Sequence, residues 1–574
     1  MTSIPTSNGI PFRPPASSQE TLDDALQVLS THRQEWVELP IEERITLIEQ
    51  VRRDFSEVWD QWVEFSVAAK GIAEREFGND WDWLEIAPIN RLHSALLLSL
   101  EDVRKGRKPK VPGGYRELPN GQVAARVFPN SLAHALTFRD VNIDVWLEPD
   151  VTLDVARQKQ AEKYFNSNSQ GRIALILGAG NASVLPSSDT FHKMFVDLCV
   201  VILKMNPVNS YIGPLMEQAY RALIDRGFLQ IVYGDAEAGD YLVHHELVDE
   251  VHMTGSDRTF DAIVFGSGEQ GRDRKITRKP RVTKPVEGEL GCITPWIIVP
   301  GEWDEKQIKH QAAKMAFWMM RHEGYICFAP RILILYKGWP QRQDFLEALV
   351  DTLAGVEPIH AYYPGSIETQ KAFVKAHPEA IEIGGKLEGH VPWTIIPDLD
   401  PGASKDICFR RESFSGLCGV VTLDAPTLTD YLENAVDFLN KTVWGTLSAT
   451  IVVDEKRLEP ELNAAVDRAI EDLRYGTVAL NGPGVLGFAT MIAPWGGYPG
   501  SPIDDIQSGT CKVTNVLMLH RPQKTVVRAP FNWWPYPFLS TTKNLDVFSR
   551  KLAAFEFDPR LWRLPGLFWS GLRT

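Results

Sequence analysis

Alternation of short apolar strands with helical segments, from Arg172 onward, constrains the fold of this chain most strongly. The strand-like "IALIL" is followed by a glycine turn and the helical "DTFHKMFVDLCVVILK", and "LQIVY" and "DEVHM" follow with a short helix between them. Strands separated by helical segments of this length form βαβ units, in which the strands are parallel. A second α/β stretch runs from "PWIIVPG" to about Asn481. The sequence therefore predicts an α/β protein built on parallel sheet.

The flanking regions have other patterns. Residues 1–20 are rich in Pro and Ser, which predicts an extended arm. The segment "LPIEERITLIEQVRRDF" places apolar residues on one helical face, and helical patterns continue to about Val103. After the linker "RKGRKPKVPGGYRELPNG", the alternation in "QVAARVF" and "LTFRDVNIDVWLEPDV" predicts strands or a hairpin. The final fifty residues are unusually aromatic.

Composition narrows the class of protein. A chain of 574 residues is too long for one simple core, so two or three domains are expected. The net charge of −14 argues against nucleic acid as a partner, because a phosphate-binding surface usually carries basic excess. The six cysteines have no disulfide-like spacing, and neither a signal peptide nor a membrane-spanning run is visible. A cytoplasmic protein with free thiols is expected.

Cys327, in the turn "EGYICFAPRILILY", is the first candidate for chemistry. A cysteine nucleophile needs a turn that supplies backbone N–H groups or nearby positive charge to lower its pKa. Gly324 gives this turn conformational freedom and Pro330 fixes its exit. Taken alone, the segment is more typical of a structural, apolar cysteine beside a buried strand.

Two further motifs bear on ligands. In "LILGAGNASVLP", a strand, the glycines Gly178 and Gly180, and a helix follow one another, as in a dinucleotide-binding loop. Ser183 stands where that motif has its third glycine, so a plain tight turn remains an alternative. No metal is expected, because the adjacent His244 and His245 in "HHEL" lack the i, i+4 spacing of a zinc helix.

Read together, eight segments between residues 35 and 540 resemble, in order, motifs of the aldehyde dehydrogenase superfamily. They are "LGAGNAS", "VILKMNP", "HMTGS", "EGELGC", "GYICFAPRILIL", "RESFSGLCGVV", "LNKTVWGTLSATIVV" and "GTVALN…PWGG". The C-x-A-P spacing is most similar to the branch that includes fatty-aldehyde dehydrogenases. The resemblance implies that Cys327 is the nucleophile, Glu289 the general base and Asn181 an oxyanion donor.

The resemblance also implies a cofactor, NAD or NADP. Lys204 would bind its ribose, Gly255 and Ser256 would lie near its pyrophosphate, and Glu412 would hold the nicotinamide ribose with Phe414 packed beside it. Lys204 could instead cap the end of a strand. Glu412 could instead form a structural ion pair with the neighbouring arginines in "RRE".

Several positions depart from the family pattern. The glutamine of G-Q-x-C is Tyr325, and the second glycine of E-L-G-G is Cys292. The acidic residue expected after the ribose lysine falls on Pro207, which leaves the choice between NAD and NADP open. A glycine expected after Ser256 is Phe260. Tyr325, together with Arg331, is expected to mark a substrate rule particular to this protein.

The fold that the resemblance implies is a Rossmann-type cofactor domain, an α/β catalytic domain and a small oligomerisation sheet. The expected boundaries are an N-terminal arm at 1–34, an NAD(P)-binding domain at 35–115 and 160–288, a catalytic domain at 289–485, oligomerisation strands at 116–159 and 505–530, and an aromatic C-terminal tail at 531–574. A homodimer or homotetramer through those strands is implied. The tail residues Trp533, Trp534, Phe568 and Trp569 would pack across a subunit interface or rest peripherally on a membrane.

The implied reaction is oxidation of an aldehyde to a carboxylic acid through a thiohemiacetal and an acyl-thioester on Cys327. Abundant aromatic residues suit an apolar or aromatic aldehyde, although they suit an ordinary core equally well. Two alternatives stay open. One is an acyl-CoA reductase or CoA-acylating dehydrogenase, against which retention of Glu289 argues. The other is a non-catalytic descendant that binds a nucleotide or a partner, which the altered motif positions favour.

Overall fold

The computed structural model describes residues 6–7, 10–75, 78–166, 169–385, 387–533, 536–540 and 542–573. In this part of the chain, no helix combines the length and hydropathy needed to cross a bilayer. Helices and strands alternate from about residue 172 to residue 480, as the sequence pattern predicts.

The α-helices are numbered in chain order. They are α1 (Gln19–Glu38), α2 (Ile41–Lys70), α3 (Gly78–Arg104), α4 (Leu132–Thr137), α5 (Leu153–Lys159), α6 (Val184–Phe195), α7 (Gly213–Ala219), α8 (Arg221–Ile224), α9 (Ala236–His244), α10 (Asp257–Val264), α11 (Gly268–Ile276), α12 (Glu305–Met320), α13 (Arg342–Ala354), α14 (Ser366–Ala376), α15 (Ile407–Arg410), α16 (Leu428–Lys441), α17 (Pro460–Asp472), α18 (Val485–Ala489), α19 (Leu545–Phe557) and α20 (Leu564–Gly571).

The strands are numbered in the same way. They are β1 (Thr6–Ser7), β2 (Ile10–Pro11), β3 (Tyr115–Glu117), β4 (Val123–Phe128), β5 (Asn142–Leu147), β6 (Arg172–Leu177), β7 (Cys199–Lys204), β8 (Leu229–Val232), β9 (Glu250–Gly255), β10 (Val286–Leu290), β11 (Thr294–Ile298), β12 (Pro330–Tyr336), β13 (Ile359–His360), β14 (Ile381–Ile383), β15 (His390–Val391), β16 (Trp393–Ile396), β17 (Leu417–Leu423), β18 (Ser448–Val452), β19 (Thr477–Leu480) and β20 (Pro522–Arg528).

A five-stranded parallel sheet forms the first α/β unit, in the order β10-β9-β6-β7-β8. Every residue of β7 is buried, as expected for a parallel strand covered on both faces. The carboxyl ends of β6, β7, β9 and β10 meet at one edge of this sheet. Ligands of open parallel sheets bind at such an edge. This unit is the predicted Rossmann-type domain.

The N-terminal arm is shorter than predicted. α1 occupies most of the region assigned to the arm, and it contacts β6, β7 and β8 of the parallel sheet. The Ser18 hydroxyl caps the helix by accepting a hydrogen bond from the Thr21 N–H at 3.2 Å. Leu22, Leu26 and Leu29 recur at helical spacing and are buried. The Pro- and Ser-rich composition before the helix obscured this amphipathic pattern, so the boundary at residue 34 was wrong.

An eleven-stranded mixed sheet forms the second unit, in the order β14-β16-β17-β12-β11-β18-β19-β20-β5-β4-β3. The strands from β16 to β20 are parallel, and β5, β4 and β3 continue the sheet in antiparallel pairing. The expected small, separate oligomerisation sheet is therefore an extension of the catalytic sheet. β20 joins the parallel and antiparallel parts of the sheet, because it is hydrogen-bonded to β19 on one edge and to β5 on the other.

The segment predicted as a C-terminal tail docks on the protein through α19, which packs along α3. The Asn90 amide donates to the Ala553 carbonyl at 3.0 Å, and Arg91 Nε donates to Glu556 Oε2 at 2.9 Å. Trp533 is buried, Phe568 and Trp569 are exposed, and Trp534 lies outside the described residues. Among the residues of this segment that the structure describes, aromatic side chains are exposed only from the turn before α20 onward.

Candidate active site

A sharp reversal of the chain places Cys327 between α12 and β12. Three consecutive residues, His322, Glu323 and Gly324, have left-handed φ angles of 50°, 59° and 77°. Such a conformation costs a residue with a Cβ roughly 1–2 kcal/mol. A Cβ added to Gly324 would lie 2.7 Å from the backbone nitrogen of Gly416, so glycine is required by space as well as by φ.

Buried ion pairs hold this reversal in place. On α3, Glu85 Oε1 accepts a hydrogen bond from Arg321 Nη2 at 2.8 Å and lies 2.9 Å from His322 Nε2. Glu323 Oε1 accepts from Arg75 Nε at 3.0 Å. Polar contacts from two other parts of the chain therefore offset the unfavourable backbone conformation before Cys327.

Arg331 ties the cysteine turn to the loop after α15. Its guanidinium donates to the carbonyls of Gly324, Ile326 and Ser415, the Ile326 contact being 3.3 Å. The side chain is 3% exposed. Five N–H donors in a fixed fork suit a residue that joins several carbonyls. Arg331 thus fixes the spacing between the Cys327 turn and the loop after α15, which carries Glu412.

Glu289 lies at the end of β10 with its carboxyl next to the Cys327 thiol. The Cys327 sulfur is 3.8 Å from Glu289 Oε1, within reach of a weak S–H···O hydrogen bond. The Trp495 indole N–H donates to the same oxygen at 3.2 Å. The predicted nucleophile and general base are therefore adjacent, and Trp495 orients the base.

The electrostatics of this pair follow from its burial. Burial raises the pKa of Glu289 to about 8, the charge of Asp189 adds to the rise, and the Trp495 hydrogen bond opposes it. Burial also raises the pKa of the Cys327 thiol well above its ordinary value, and the carboxylates of Glu289 and Glu412 add to this. The resting pair thus holds the cysteine as a thiol beside a base whose pKa is close to neutrality.

Asn181 lies on the opposite side of the cysteine turn, in the loop after β6. Its side-chain amide donates to the Tyr325 carbonyl at 3.0 Å, and the residue is 7% exposed. A side-chain amide carries two N–H donors, so this contact leaves one of them for a ligand. Asn181 therefore both supports the turn and offers a donor close to Cys327.

A cavity of about 970 Å³ opens at the carboxyl edge of the parallel sheet and reaches Cys327. All eight predicted site residues line it: Asn181, Lys204, Gly255, Ser256, Glu289, Cys327, Glu412 and Phe414. They come from both sheets, so the cavity lies between the two units. The predicted catalytic and cofactor residues thus belong to one site.

The cavity wall fits a dinucleotide in several respects. Glu412 Oε1 is buried and has no hydrogen-bond partner among the described residues, which leaves an acceptor for a hydroxyl group. A Cβ on Gly180 would lie 2.7 Å from Asn206 Oδ1, so the glycine loop is closely packed. Burial lowers the pKa of Lys204 to about 8, which Asp235 opposes. Arg258 also faces the cavity.

Comparisons with known proteins agree with this geometry. The model of the "Aldehyde dehydrogenase family" matches residues 153–377. Peroxisomal aminoaldehyde dehydrogenase 2 of Pisum sativum is 25% identical over 386 residues, which cover 64% of this chain and 66% of that relative. The match thus spans slightly less than two thirds of the relative's length.

Solved structures of similar proteins extend the likeness across most of the chain. Betaine aldehyde dehydrogenase from Staphylococcus aureus, in complex with NAD⁺, superposes with a TM-score of 0.58 at 14% identity, covering 90% of this chain and 89% of that chain. Glyceraldehyde-3-phosphate dehydrogenase GapN from Methanocaldococcus jannaschii, complexed with NADP, gives 0.58 at 16% identity, covering 90% and 98%. Residues 153–377 are thus similar to the aldehyde dehydrogenase family, and the chain as a whole has the fold of these structures.

Departures from the aldehyde dehydrogenase motifs are structural in this protein. Tyr325 is fully buried, with its ring stacked on Tyr363 at 5.5 Å and packed edge-on against Tyr362 at 5.0 Å. Neither Tyr325 nor Arg331 lines the apolar pocket described below. Arg331 braces the cysteine turn through its carbonyl contacts, and the expectation that it and Tyr325 set a substrate rule stays a prediction.

Two other departures lie around the cofactor cavity. Phe260 is fully buried in a small cluster with Met253 and Leu290, where it fills space below the end of β10. Pro207 lies outside the cavity wall, and Asn206 faces it instead. The wall next to Lys204 therefore carries an uncharged amide at this point.

An apolar pocket of about 110 Å³ lies on the other side of Cys327. Cys327 and Leu185 line both this pocket and the large cavity. Its aromatic wall consists of Phe128, Phe138, Trp318, Phe328, Phe488, Trp495 and Phe538. Walls of this composition suit an apolar group of a ligand.

The charged residues in the pocket wall are paired. Glu85 bonds Arg321, and Arg91 bonds Glu556. Among the described lining residues, these pairs leave no unmatched charge for a charged substrate group. Sequence analysis assigned no role to Glu85, Trp495 or Asp189. "PWGG" marked the position of Trp495 but not its contact with the base.

A cluster with metal-binding side chains lies away from both cavities. Ligand atoms of His377, Asp406 and Cys408 all lie within 4.8 Å of one another. His377 Nε2 is 3.1 Å from Asp406 Oδ1, and none of the three residues lines the site around Cys327. This cluster has no part in the chemistry that follows.

Proposed function

We propose that the protein oxidises apolar aldehydes to carboxylic acids, with NAD or NADP as the oxidant. One observation carries the proposal: Cys327, beside Glu289, borders a cavity with dinucleotide-binding features on one side and an apolar pocket on the other. When bound in the large cavity, the nicotinamide cofactor supplies the hydride acceptor that the oxidation needs.

Cys327 becomes the nucleophile by losing its proton to Glu289. The 3.8 Å contact allows this transfer once Glu289 is a carboxylate, and its pKa of about 8 makes that form available near neutral pH. Attack on the aldehyde carbon forms a C–S bond and places negative charge on the former carbonyl oxygen. The thiol is therefore activated by an adjacent base, and not by a thiol pKa that is lowered in the resting site.

Asn181 and the Cys327 backbone N–H are the donors for that oxyanion. The Asn181 amide is held by the Tyr325 carbonyl, so it is positioned before substrate arrives. Donors that need no reorganisation stabilise the developing charge most effectively. Hydrolysis of the acyl-thioester then needs a deprotonated water, for which Glu289 is the buried base beside Cys327 once it has released the thiol proton to solvent.

The substrate class follows from the pocket next to Cys327. The curated relatives include aminoaldehyde dehydrogenases, whose name describes a substrate with an amino group. In the pocket described here, Glu85 is already neutralised by Arg321 and hydrogen-bonded to His322, and its pKa is lowered to about 2. An alkyl or aromatic group fits such walls better than a cationic one.

Turnover by the wild type and by Cys327→Ser tests the proposal. An assay with hexanal, benzaldehyde and 4-aminobutanal, each with NAD and with NADP, should show oxidation of the first two, and the variant should lose at least about 10³-fold in kcat. Cys408→Ser is the matched control because it changes a buried cysteine outside both cavities, and it should retain activity.

Two outcomes would contradict this function. Equal activity of wild type and Cys327→Ser would remove Cys327 as the nucleophile. No turnover of any aldehyde would favour a non-catalytic nucleotide-binding protein. Addition of coenzyme A distinguishes hydrolytic oxidation from the CoA-acylating alternative, because a CoA-acylating enzyme would form acyl-CoA instead of the free acid.

A further inference from the structure

Polar side chains occupy part of the buried interface between α6 and the strands β9 and β10. Thr254 Oγ1 donates a hydrogen bond to Asp189 Oδ2 at 2.8 Å, and His252 Nε2 lies 3.4 Å from each of these two atoms. All three residues are buried. Helices that cover a parallel sheet usually meet it with apolar side chains. A carboxylate, a hydroxyl and an imidazole at this interface therefore need a reason beyond packing.

This cluster lies next to the proposed base. Glu289 on β10 is in register with Thr254 on β9, so the two side chains lie on the same face of the sheet. Neighbouring strands are about 4.8 Å apart, and the Glu289 carboxyl reaches the Thr254 hydroxyl by rotation about its side-chain bonds. Burial and, after it, the charge of Asp189 raise the pKa of Glu289, so the two carboxyls interact. Glu289, Thr254 and Asp189 thus form a short path for a proton.

Glu289 must give up one proton before it can take another. In the proposed function it removes the thiol proton of Cys327 and later a proton from water. During that interval the large cavity is occupied by cofactor and the acyl group is bound to Cys327, and Glu289 itself is 2% exposed. Release of the first proton to solvent is therefore hindered, and an acceptor within the protein relieves this.

We propose that Asp189 is this internal acceptor, a proton store that Glu289 reaches through the Thr254 hydroxyl. Glu289 passes its proton to Thr254 Oγ1 while the Thr254 hydroxyl proton moves to Asp189 Oδ2, so the threonine stays neutral. Asp189 becomes a carboxylic acid, and Glu289 is again a carboxylate that can deprotonate water. After hydrolysis, one of the two removed protons returns to the Cys327 sulfur and the other leaves to solvent. The proposal rests on the proposed function, whose two proton removals it connects.

Charged groups beside the store are matched among themselves. Lys193 Nζ donates to Glu250 Oε1 at 2.9 Å and to Glu287 Oε2 at 2.7 Å, and it lies 3.1 Å from Asp197 Oδ2. Burial lowers the pKa of Lys193, but Asp197, Glu287 and Glu250 together raise it well above its ordinary value. Lys193 therefore stays a cation bound to carboxylates other than Asp189.

Two further titratable groups at this interface are neutral. Burial lowers the pKa of His192 to about 4, which leaves its ring uncharged near neutral pH. Burial raises the pKa of the Cys511 thiol well above its ordinary value, and the nearby carboxylates add to the rise. Asp189 is therefore the hydrogen-bonded partner of Thr254 that can take up a proton.

Rapid-mixing kinetics of Asp189→Asn with hexanal test the store. The amide keeps the shape of the side chain and an acceptor for Thr254, but it cannot take up the proton. The first turnover should be at least as fast as in the wild type, and the steady-state rate should fall at least about tenfold. One reduced cofactor per site should then form before a slow phase, whereas a structural defect would slow both phases.

The sign of this effect separates a proton store from a charge effect. After burial, the Asp189 charge is the next cause of the raised pKa of Glu289, so the asparagine variant should have a Glu289 pKa below about 8. The rise of the first-turnover rate with pH should move downward accordingly. By charge alone, the lower pKa would ease proton release from Glu289 and speed the steady state at pH 7, whereas loss of the store slows it.

Substitutions at Thr254 test the path without changing that charge. Thr254→Val has nearly the same shape and lacks the hydroxyl, so its steady state should be slow while its first turnover is not. Thr254→Ser should retain the wild-type ratio of the two rates. His192→Gln is the matched control, because His192 is buried at the same interface and lies beside Asp197 instead of Asp189. It should leave the ratio unchanged.

Three results would overturn the proposal. A steady-state rate of Asp189→Asn equal to or above that of the wild type would show that Asp189 acts on Glu289 by charge alone. An equal fall of both phases in that variant would show a damaged site without a store. Equal ratios in Thr254→Val and Thr254→Ser would exclude the hydroxyl path. If the wild type oxidises hexanal in these cases, the store fails alone; if it oxidises no aldehyde, the proposed function fails with it.

Discussion

Two buried glutamates lie on opposite sides of Cys327, and their pKa values are shifted in opposite directions. Glu289 lines the large cavity and Glu85 lines the apolar pocket, and both are less than a tenth exposed. Burial raises the pKa of Glu289 to about 8, with Asp189 adding to the effect. Burial alone would also raise the pKa of Glu85, but His322 and Arg321 lower it to about 2.

The difference shows what separates a base from a structural anion. Burial is common to both carboxyls, so the cations beside one of them decide its state. Glu85 is permanently charged, and its contacts hold the left-handed residues before the nucleophile. Glu289 lacks a cation partner and can exchange a proton near neutral pH, as a general base must. The same residue type is therefore held charged on one side of Cys327 and kept near its titration point at neutral pH on the other.

The largest expected effect is the loss of catalysis in Glu289→Gln. The amide cannot accept the thiol proton or deprotonate water, so kcat should fall about 10²–10⁴-fold. Steady-state kinetics with hexanal measures this, and the Kd for NAD or NADP should stay unchanged because the fold of the cavity is kept. Unchanged kcat in this variant would remove Glu289 as the base.

The corresponding change at the other glutamate should mainly affect stability. Glu85→Gln leaves the buried Arg321 guanidinium without the carboxylate that it bonds, which should cost about 3–5 kcal/mol in the free energy of unfolding. Urea denaturation at pH 7 measures this. The contribution of Glu85 is present above its ordinary pKa of 4.5 and is lost as pH falls towards about 2. A stability equal to that of the wild type would remove the anchoring role of Glu85.

Glu289→Gln should instead increase the free energy of unfolding when the same denaturation experiment is done at high pH. A folded-state pKa of about 8 means that the wild type loses stability as pH rises from 4.5 to about 8. The variant has no such loss, so at pH 9 it should gain stability relative to the wild type by on the order of a few kcal/mol. If the free energy of unfolding of the Glu289 and Glu85 variants changed with pH in the same way, the contrast between the two glutamates would be contradicted.

The smallest effect should come from Trp495→Phe. Its indole N–H is the hydrogen-bond donor that lowers the pKa of Glu289. Without it, the rise of kcat/KM with pH should move upward from about 8 by up to about one pH unit. Trp318→Phe is the control, because Trp318 lies in the same pocket and its N–H bonds Tyr536 instead. A shift of the same size in both variants would show that the indole of Trp495 acts through packing only.

Much of the site could be predicted because local motifs carry it. "EGELGC", "GYICFAPRILIL" and "LGAGNAS" each contain one residue of the proposed catalytic trio, and the order of these segments led to the assignment of Glu289, Cys327 and Asn181. Strand and helix alternation likewise predicted the parallel sheet around them. In these cases the physical signal lies within a dozen neighbouring residues.

The parts of the site that the sequence did not predict depend on contacts between distant segments. Glu85 belongs to an ordinary-looking helical stretch, and His322 lies 237 positions away. Trp495 reaches Glu289 across 206 positions. α1 was missed because its polar first turn continues a Pro- and Ser-rich segment, although Leu22, Leu26 and Leu29 carried the helical spacing. Helical spacing was visible there in the sequence, whereas the long-range charge partners were not.

Insertion of β20 between β19 and β5 has a consequence for synthesis of the protein. Gln122 Nε2 donates to Gln523 Oε1 at 2.9 Å, across 401 positions of sequence. During translation, β5 therefore lacks one of its two neighbours until residue 528 has left the ribosome, and α3 waits longer still for α19. Unpaired strand edges of this kind are where nascent chains aggregate. The cell must protect this edge for most of the time that it takes to make the chain.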